Sequence, residues 1–382
     1  MEEVADFNDE PIRIWIEETT TGFRIQSSGH VNTNTGTMTD VINLIFEREP
    51  TDASPFNTAV FAIGQGTAQN PAIELQGSAE IHGPVGTNST GVDSVKFGSS
   101  TSIRTGDLWV GPNGTMEQII HTPRLPELHV PDGTIGVLSE EQVYPDPIFP
   151  SLPTDLTERG NFSTPWVSGL YYEIADDGWY DTIEVTASRT LTIDLQGGTR
   201  RIRVRDLNIV QGHIELINKG ENGRLELYVE ERFHLSGSST MNLGGHFRDV
   251  TVYYQGSNAL NYTGNTRLVG SMHLKQANLS VSGSNSIDGH IISNSTGSIT
   301  FGGSAHLQAV AVYAPKAFVT VGGSAQINGS VIANRVLVSG NARIAFETPD
   351  SGTVPGNSFP PGWLDGKGQQ GQGQNNRRWT WK

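Results

Sequence analysis

A short phrase built around glycine returns about every twenty residues in the C-terminal half of the chain. It starts at five glycines whose spacings are 19, 20, 20 and 17 residues: Gly264, Gly283, Gly303, Gly323 and Gly340. Apolar residues stand two and four places before each glycine, and Ile or Leu stands four places after it. Apolar positions two apart are typical of strands with one buried face. The glycine suits a corner that needs a positive φ.

A strand–corner–strand unit this short cannot bury its apolar side alone, so it must stack on copies of itself. Gly, Ser, Asn and β-branched residues at period two are poor helix formers. The repeat therefore predicts an all-β chain built on a single-stranded parallel β-helix, or solenoid. A small polar residue follows each glycine, and we expect these residues to hydrogen-bond from coil to coil: Asn265, Ser284, Ser304, Ser324 and Asn341.

The same phrase occurs far upstream. QGSAEIHGPV (76–85) and GGSAQINGSV (322–331) agree at six of ten positions. We interpret 53–121 as the first coils of the β-helix and 169–347 as its main part. The segment between them, 122–168, contains eight prolines, which exclude regular sheet and helix interiors. It is predicted to be a proline-rich excursion along the solenoid.

The two ends of the chain differ from the repeat. PIRIWIEE, GFRIQSSGHV and TDVINLIFER alternate apolar and polar residues and are separated by polar turns, which predicts a three-stranded antiparallel meander in 1–52. Residues 348–382 are rich in Gly, Gln and Pro. This composition predicts a flexible tail, and its end, RRWTWK, is expected to form a terminal aromatic strand.

The net charge of the chain limits the classes of partner that we expect. The chain carries 25 Lys and Arg against 40 Asp and Glu, a formal net charge of −15, which argues against nucleic-acid binding. Cysteine is absent, so a disulfide framework and thiolate metal ligands are excluded. No cofactor motif is present, and we predict no cofactor.

The repeat contains too few acidic residues for polysaccharide cleavage, the reaction that a long β-helix groove often suggests. Asp288 is the one acid between Gly264 and Phe346. Glycoside hydrolysis normally needs two carboxylates, so we predict a non-catalytic protein without catalytic residues. A carbohydrate-active enzyme or a carbohydrate-binding protein on a β-helix stays open as an alternative.

Two patterns suggest metal ions and neither fits well. DDGWYD offers Asp176, Asp177 and Asp181 as calcium ligands, but it lacks the alternating acids and terminal Glu of an EF-hand. A polar turn is the preferred interpretation, and calcium binding stays undecided. The histidines of the repeat stand at unrelated offsets, which predicts scattered surface or corner positions and no metal site: His273, His290 and His306. Nearby aromatic residues are expected to cap the solenoid core: Tyr171, Tyr172, Trp179 and Tyr180.

Two further functions are known for stacked β-helices. An ice-binding surface would need flat double files of threonine, and three places before the glycines the chain offers one partial file: Asn261, Ser280, Thr300, Thr320 and Leu337. A self-polymerising scaffold resembling bactofilins would stack end to end. Both stay open as alternatives.

Four stretches resemble the extracytoplasmic part of PilX-type pilus assembly proteins, which are minor type IV pilin-like proteins of bacteria. They are GFRIQSSGHVNTNTGTMTDVINLIFER, GSAEIHGPVGTNS, the run from YPDPIFPSLP through LTIDLQGGTRRIRVRDLNI to LELYVEERFHLSGSSTMN, and the tail with PPGW and a final tryptophan strand. Proteins of this kind begin with a leader peptide and an apolar anchoring helix. This chain starts at MEEVADFNDE, so we expect both to have been removed.

The resemblance implies a cell-surface, pilus-associated structural or adhesive protein with a β-helical domain. Its expected partners are other pilin subunits or pilus assembly proteins, with surface glycans as a second class. Contact with a membrane is expected only through the helix that this chain lacks, and the expected location is extracellular.

Overall fold

The computed structural model describes residues 2–7, 10–19, 22–33, 36–47, 56–165, 171–349, 354–355, 358–360 and 363–364, with backbone alone before residue 48. The chain divides into two compact units, Met1–Ser54 and Pro55–Lys382. None of the helices in these described ranges has the length and apolar character that crossing a membrane requires.

The first unit is an antiparallel meander, as predicted, but it has four strands: β1 (Glu2–Phe7), β2 (Glu10–Thr19), β3 (Gly22–Thr33) and β4 (Gly36–Glu47). Each strand pairs with the next one in the chain. The additional strand is β1, whose sequence EEVADF has too few apolar residues to show a clear alternation. It is held by a full register against β2, from Glu2 opposite Trp15 to Phe7 opposite Glu10.

The second unit consists of short strands joined by tight corners. Its first group is β5 (Val60–Ala62), β6 (Ile73–Leu75), β7 (Glu80–His82), β8 (Val85–Thr87), β9 (Val95–Phe97), β10 (Ser102–Arg104), β11 (Leu108–Val110), β12 (Ile120–His121) and β13 (Ile135–Val137). One short helix, α1 (Met116–Ile119), and one 3-10 turn (Pro126–Leu128) interrupt this group.

The second group follows the proline-rich segment, with one 3-10 turn at Phe247–Asp249. Its strands are β14 (Glu158–Ser163), β15 (Tyr172–Ile174), β16 (Gly178–Thr186), β17 (Thr190–Asp194), β18 (Thr199–Val210), β19 (His213–Ile217), β20 (Arg224–Ser236), β21 (Thr240–Met241), β22 (Val250–Tyr254), β23 (Leu260–Tyr262), β24 (Arg267–Val269), β25 (Ser271–Leu274), β26 (Leu279–Val281), β27 (Ser286–Asp288), β28 (Ile291–Ser293), β29 (Ser298–Phe301), β30 (His306–Val321), β31 (Gln326–Val338) and β32 (Arg343–Ala345).

These strands form a parallel β-solenoid of about twelve coils, which confirms the predicted fold class. Each coil has three faces. Face 1 contains β5, β8, β11, β22, β25 and β28, face 2 contains β6, β9, β12, β23, β26 and β29, and face 3 contains β7, β10, β24, β27 and β32. The longer strands run through two or three faces, as β30 does. The repeating glycine lies at the corner between face 2 and face 3.

The core is a column of the predicted inward residues. On face 2, Val281, Phe301 and Val321 stack in successive coils and are fully buried. Burying side chains of this size contributes about 1.5–3 kcal/mol each. The polar residues after the corner glycines connect coils through their backbones: the Ser304 N–H, for example, donates to the Gly283 carbonyl at 2.9 Å. Their side chains point to solvent instead of forming the expected ladder.

The coils do not stack in chain order. If they are numbered from β14, coil 9 ends with β31 and β32, and coil 10 is β5, β6 and β7. Val331 pairs with Val60, Val336 with Ile73, and Ile344 with Ile81. Residues 56–138 therefore stack on coil 9 and follow the C-terminal coils in space, whereas the sequence predicts that they form the first coils of the β-helix. We call the boundary between coils 9 and 10 the junction.

The proline-rich excursion is shorter than 122–168 because both of its ends join the solenoid. His129 accepts from the Ile103 N–H through its carbonyl at 2.7 Å, and β13 pairs with β11. At the other end, β14 forms the first coil by pairing with β16. The remaining residues, 139–157, which we call the strap, run from the last coil back to the first.

The strap lies against the outer side of face 1. Gln142 bonds Asn88 in coil 11, and Asp155 bonds Arg201 in coil 3. Coils 11 and 3 are separated by eight strand spacings of about 4.8 Å, or roughly 38 Å. The 13 residue steps of the strap from 142 to 155 cover roughly 40 Å at the polyproline rise of about 3.1 Å. The strap is therefore fully extended, which suits its four prolines.

A second apolar cluster fills the space between face 1, the strap and the few described residues beyond 349. Its centre is Tyr313, whose ring lies 5.3 Å from that of Trp363 and 6.0 Å from that of Phe56. Phe359 stacks on Trp363 at 4.9 Å. These described residues of the predicted flexible tail are buried. The predicted terminal strand RRWTWK lies outside the described residues.

Candidate functional site

An arginine row projects from face 1 near the start of the solenoid. In RIRVR of β18, Ile202 and Val204 point into the core and are fully buried, so the arginines between and beside them point outward. The row consists of Arg201, Arg203 and Arg205. Each meets a carboxylate from a different part of the chain.

Arg201 joins the strap to coil 2. Its guanidinium contacts the Asp155 carboxylate at 2.9 and 3.2 Å and Asp177 at 3.2 Å. The hydrogen bond from Arg201 lowers the pKa of the Asp155 carboxyl, and the same bond raises the pKa of Arg201. Asp177 also accepts from the Arg200 guanidinium at 3.1 Å and from the Arg201 backbone N–H. The pairs fix the end of the strap to the first coils.

Arg203 lies in a polar–aromatic group. Its Nε donates to Glu230 Oε1 at 2.7 Å, and the Trp179 indole N–H donates to the same oxygen at 3.0 Å. The guanidinium carbon is 5.5 Å from the centre of the Trp179 ring, a distance at which a cation is attracted to the ring face. The Pro153 carbonyl of the strap accepts a further bond from Arg203.

The three aspartates considered for calcium are all paired with arginines. Asp176 faces Arg159, and Asp181 faces Arg205. They point to different partners and do not converge on one point, as the oxygen ligands of a calcium ion must. Across the described ranges of the chain, no three acidic or histidine side chains are grouped so that they could hold a metal ion.

The four aromatic residues nearby have different environments. Tyr180 is buried and meets Phe162 edge-on, at 6.4 Å between ring centres. Tyr172 packs against the edge of the core. Trp179 is on the outer side of face 1, and Tyr171 is 97% exposed. The expected capping of the core therefore fits Tyr180 and Tyr172 and does not fit the other two.

The prediction of surface or corner positions is wrong for His273, which lies within β25 and is fully buried. His290 is also fully buried, but it does lie at a corner, between β27 and β28. His273 belongs to the outward row of face 1, but the strap and the C-terminal residues cover it. Its ring is bonded to Ser358 Oγ at 3.0 Å and Asn294 Oδ1 at 2.8 Å, and Phe149 of the strap packs 4.9 Å away. Burial lowers the pKa of His273 to about 4.

The partial threonine file lies on the outer side of face 2. Its members pair in order, from Asn261 through Ser280 and Thr300 to Thr320. The next positions are Leu337, Glu74 and Lys96. An apolar side chain followed by two charged ones interrupts the flat hydroxyl surface that ice recognition would need.

One depression on the surface of the second unit was not anticipated from the sequence. It has a volume of about 400 Å³ and lies where face 3 turns into face 1 in coils 4 and 5. Lys219, Arg224 and Arg248 lie on its wall. The sequence does carry one sign of the depression, which is the length of the coils. The coil between the register partners Ile202 of β18 and Leu227 of β20 has 25 residues. The coil between Met272 of β25 and Ile291 of β28 has only 19.

Comparison with known proteins gives one family match. A model described as a domain of unknown function (DUF7305) matches residues 168–296, which contain the arginine row and the depression. No curated protein matches the sequence.

Two solved structures are similar at low levels. The chain is 12% identical to an ice-binding protein from the Antarctic ascomycete Antarctomyces psychrotrophicus, with a TM-score of 0.20, over 78% of this chain and 98% of that one. It is also 12% identical to an ice binding protein from an Antarctic Biological Consortium, with a TM-score of 0.20, over 79% and 93%. Similarity at this level carries no functional argument.

Proposed function

We propose that the chain is a non-catalytic, extracellular protein that acts as a structural or adhesive component of a type IV pilus system, in the manner of PilX-type minor pilin-like proteins. The observation that carries the proposal is the tight closure of the solenoid by the strap. Hydrogen bonds, ion pairs and aromatic contacts hold the strap from coil 11 to coil 3. Such a fixed coil stack suits a protein that presents a surface or transmits load.

The charged residues also favour a structural role over turnover. On the outer side of face 1, Glu230, Asp177 and Asp181 each accept from arginines at 2.7–3.2 Å. A glycoside hydrolase instead needs a pair of carboxylates about 5–10 Å apart that face a sugar. Here the three carboxylates face guanidinium groups instead.

Self-polymerisation is the second candidate function. The reason to test it is the open strand edge at each end of the described solenoid. Strand β14 pairs within the described residues only with β16, and β13 only with β11. An open strand edge is a template for pairing with another chain. Sedimentation velocity from micromolar to high micromolar concentrations separates the two roles, since a constant monomer mass contradicts end-to-end stacking.

The pilus proposal is tested in the organism that encodes the chain. Antibodies raised against the purified protein are applied to intact cells, with immunogold detection, in the wild type and in a strain that lacks the gene. Surface label on or beside filaments, absent from the deletion strain, supports the proposal. Label found only after cells are opened contradicts it. The coding sequence upstream is read in parallel for a prepilin leader and an apolar helix.

A further inference from the structure

Two corner loops of the solenoid are longer than the fold requires. Residues 218–223 join β19 to β20, and residues 242–249 join β21 to β22. In the next coil the same turn, between β24 and β25, takes Gly270 alone. Since a single residue is enough to turn the chain here, the additional residues serve something other than the coil. Loops held by a rigid scaffold are common carriers of binding sites.

Together the two loops line the depression of about 400 Å³, which we call the corner pocket. This volume falls within the range of roughly 300–1,000 Å³ that is usual for small-ligand sites. Four glycines line it: Gly220, Gly223, Gly244 and Gly245. Gly244 has a φ of +79° and open space where a Cβ would be, so its backbone faces the solvent of the pocket without a covering side chain.

Positive charge prevails around the corner pocket, although the protein as a whole has a net charge of −15. Lys219 is paired with the largely buried Asp249 at 2.9 Å, and Asp249 also accepts from the His246 backbone N–H. Arg248 is only 4.0 Å from the same carboxylate, and its side chain is 53% exposed. Arg224 is exposed and forms no ion pair with any residue that the structure describes.

We propose that the corner pocket binds an oxyanion group, a carboxylate or a phosphate, carried by a carbohydrate. Arg224 and Arg248 supply planar guanidinium groups, which match such oxyanions through paired hydrogen bonds. The exposed glycine backbone allows a sugar ring to approach closely. An acidic residue, Glu221, also lines the pocket. The inference deepens the proposed adhesive function and rests on it for the source of the ligand.

Binding is measured by isothermal titration calorimetry on the whole chain at low ionic strength. The probes are trigalacturonate, glucose 6-phosphate, inorganic phosphate and, as a neutral reference, maltotriose. The double variant Arg224→Gln/Arg248→Gln removes both guanidinium groups. Arg343→Gln, at an exposed arginine of face 3 in coil 9, is the matched control. Circular dichroism and thermal unfolding show whether each variant keeps the fold.

We expect trigalacturonate or glucose 6-phosphate to bind at least tenfold more tightly than maltotriose, and the preferred probe tells carboxylate from phosphate. The double variant should lose at least tenfold in affinity and Arg343→Gln less than twofold. Equal affinity for maltotriose, or an equal loss in the control, overturns the proposal. A preference for inorganic phosphate over both sugar anions overturns the carbohydrate part. Immunogold labelling is independent of all these outcomes, so the two proposals fail separately.

Discussion

Gly77 lies directly over Gly340, with the Gly340 carbonyl oxygen 2.8 Å from the point that a Cβ atom on Gly77 would occupy. The same oxygen accepts a hydrogen bond from the Ser78 N–H at 2.7 Å. Two segments from opposite halves of the chain are thus neighbouring coils across the junction. The similarity of QGSAEIHGPV to the C-terminal repeats reflects this direct stacking.

The junction can be tested by a disulfide, because the chain has no cysteine of its own. Arg343 and Glu80 are register partners on face 3, about 4.8 Å apart at Cα, which lies within disulfide range. We expect the double variant Arg343→Cys/Glu80→Cys to form an intramolecular disulfide under mild oxidation, detected by peptide mass spectrometry. The control Arg343→Cys/Ser102→Cys spans two coils, since Ser102 pairs with Glu80, and should stay reduced. If the coils stacked in chain order, neither pair would form.

The close approach of Gly77 and Gly340 should make the corner intolerant of any side chain. Gly77→Ala places a methyl group against the Gly340 carbonyl at a φ of +68°, so we expect a loss of at least about 2 kcal/mol in the free energy of unfolding. Gly197 is a matched control, because its φ is +74° and nothing lies within 4 Å of its Cβ position. Gly197→Ala should cost only about 1 kcal/mol, the penalty of the backbone conformation. Equal losses in denaturant titrations would contradict this close packing.

His273 should make stability fall in mild acid. Its pKa is about 4 in the folded protein against 6.5 in the unfolded chain, so the unfolded state binds more protons in between. The free energy of unfolding should be unaffected above pH 6.5, fall as pH drops toward 4 and then level off. The total is roughly 3 kcal/mol at 1.36 kcal/mol per pKa unit.

In His273→Gln this part of the pH dependence should disappear, as measured by denaturant titrations at several pH values. His121→Gln, at a histidine whose side chain is 60% exposed, is the control for the substitution itself. Burial also lowers the pKa of His129, so a smaller slope is expected to remain in His273→Gln. An unchanged curve in His273→Gln would show that His273 is not the titrating group.

The strap should detach when its aromatic contact is removed. The Tyr144 ring lies 4.9 Å from that of Phe61 and 6.4 Å from that of Tyr313, whereas its neighbour Val143 is 76% exposed. Tyr144→Ala should speed cleavage after Glu140 and Glu141 by a glutamate-specific protease at least severalfold, because local opening exposes the backbone. Val143→Ala should be cleaved at the wild-type rate. Equal rates in both variants would mean that other contacts hold the strap.

The coil itself could be predicted from the sequence because it depends on local rules. Alternation decides which side of each strand is buried, and Val281, Phe301 and Val321 are all core residues as expected. The corner glycines likewise follow from the need for positive φ, which Gly283 and Gly323 adopt. These properties belong to single coils, so a single sequence contains enough information for them.

The order of the coils and the covering of face 1 could not be predicted in the same way. Every coil offers nearly the same edge, so the phrase at 76–85 fits above coil 9 as well as beneath coil 1. His273 occupies an outward position, and its burial depends on Phe149 and Ser358, which lie far away in the chain. The cations of the corner pocket stand in two separate loops, and only stacking brings Arg224 close to Arg248.

The junction also means that strands paired across it are synthesised at very different times. Strands β5 to β7 leave the ribosome before all other strands of the solenoid, but the partners of their lower edge, in β31 and β32, are made more than two hundred residues later. At about 5–20 residues per second this is a delay on the order of tens of seconds. During this time the nascent chain carries an unpaired apolar edge of the kind that seeds aggregation. The solenoid is complete only when coil 9, the last of its coils to be synthesised, pairs with the lower edge of coil 10, the first of them.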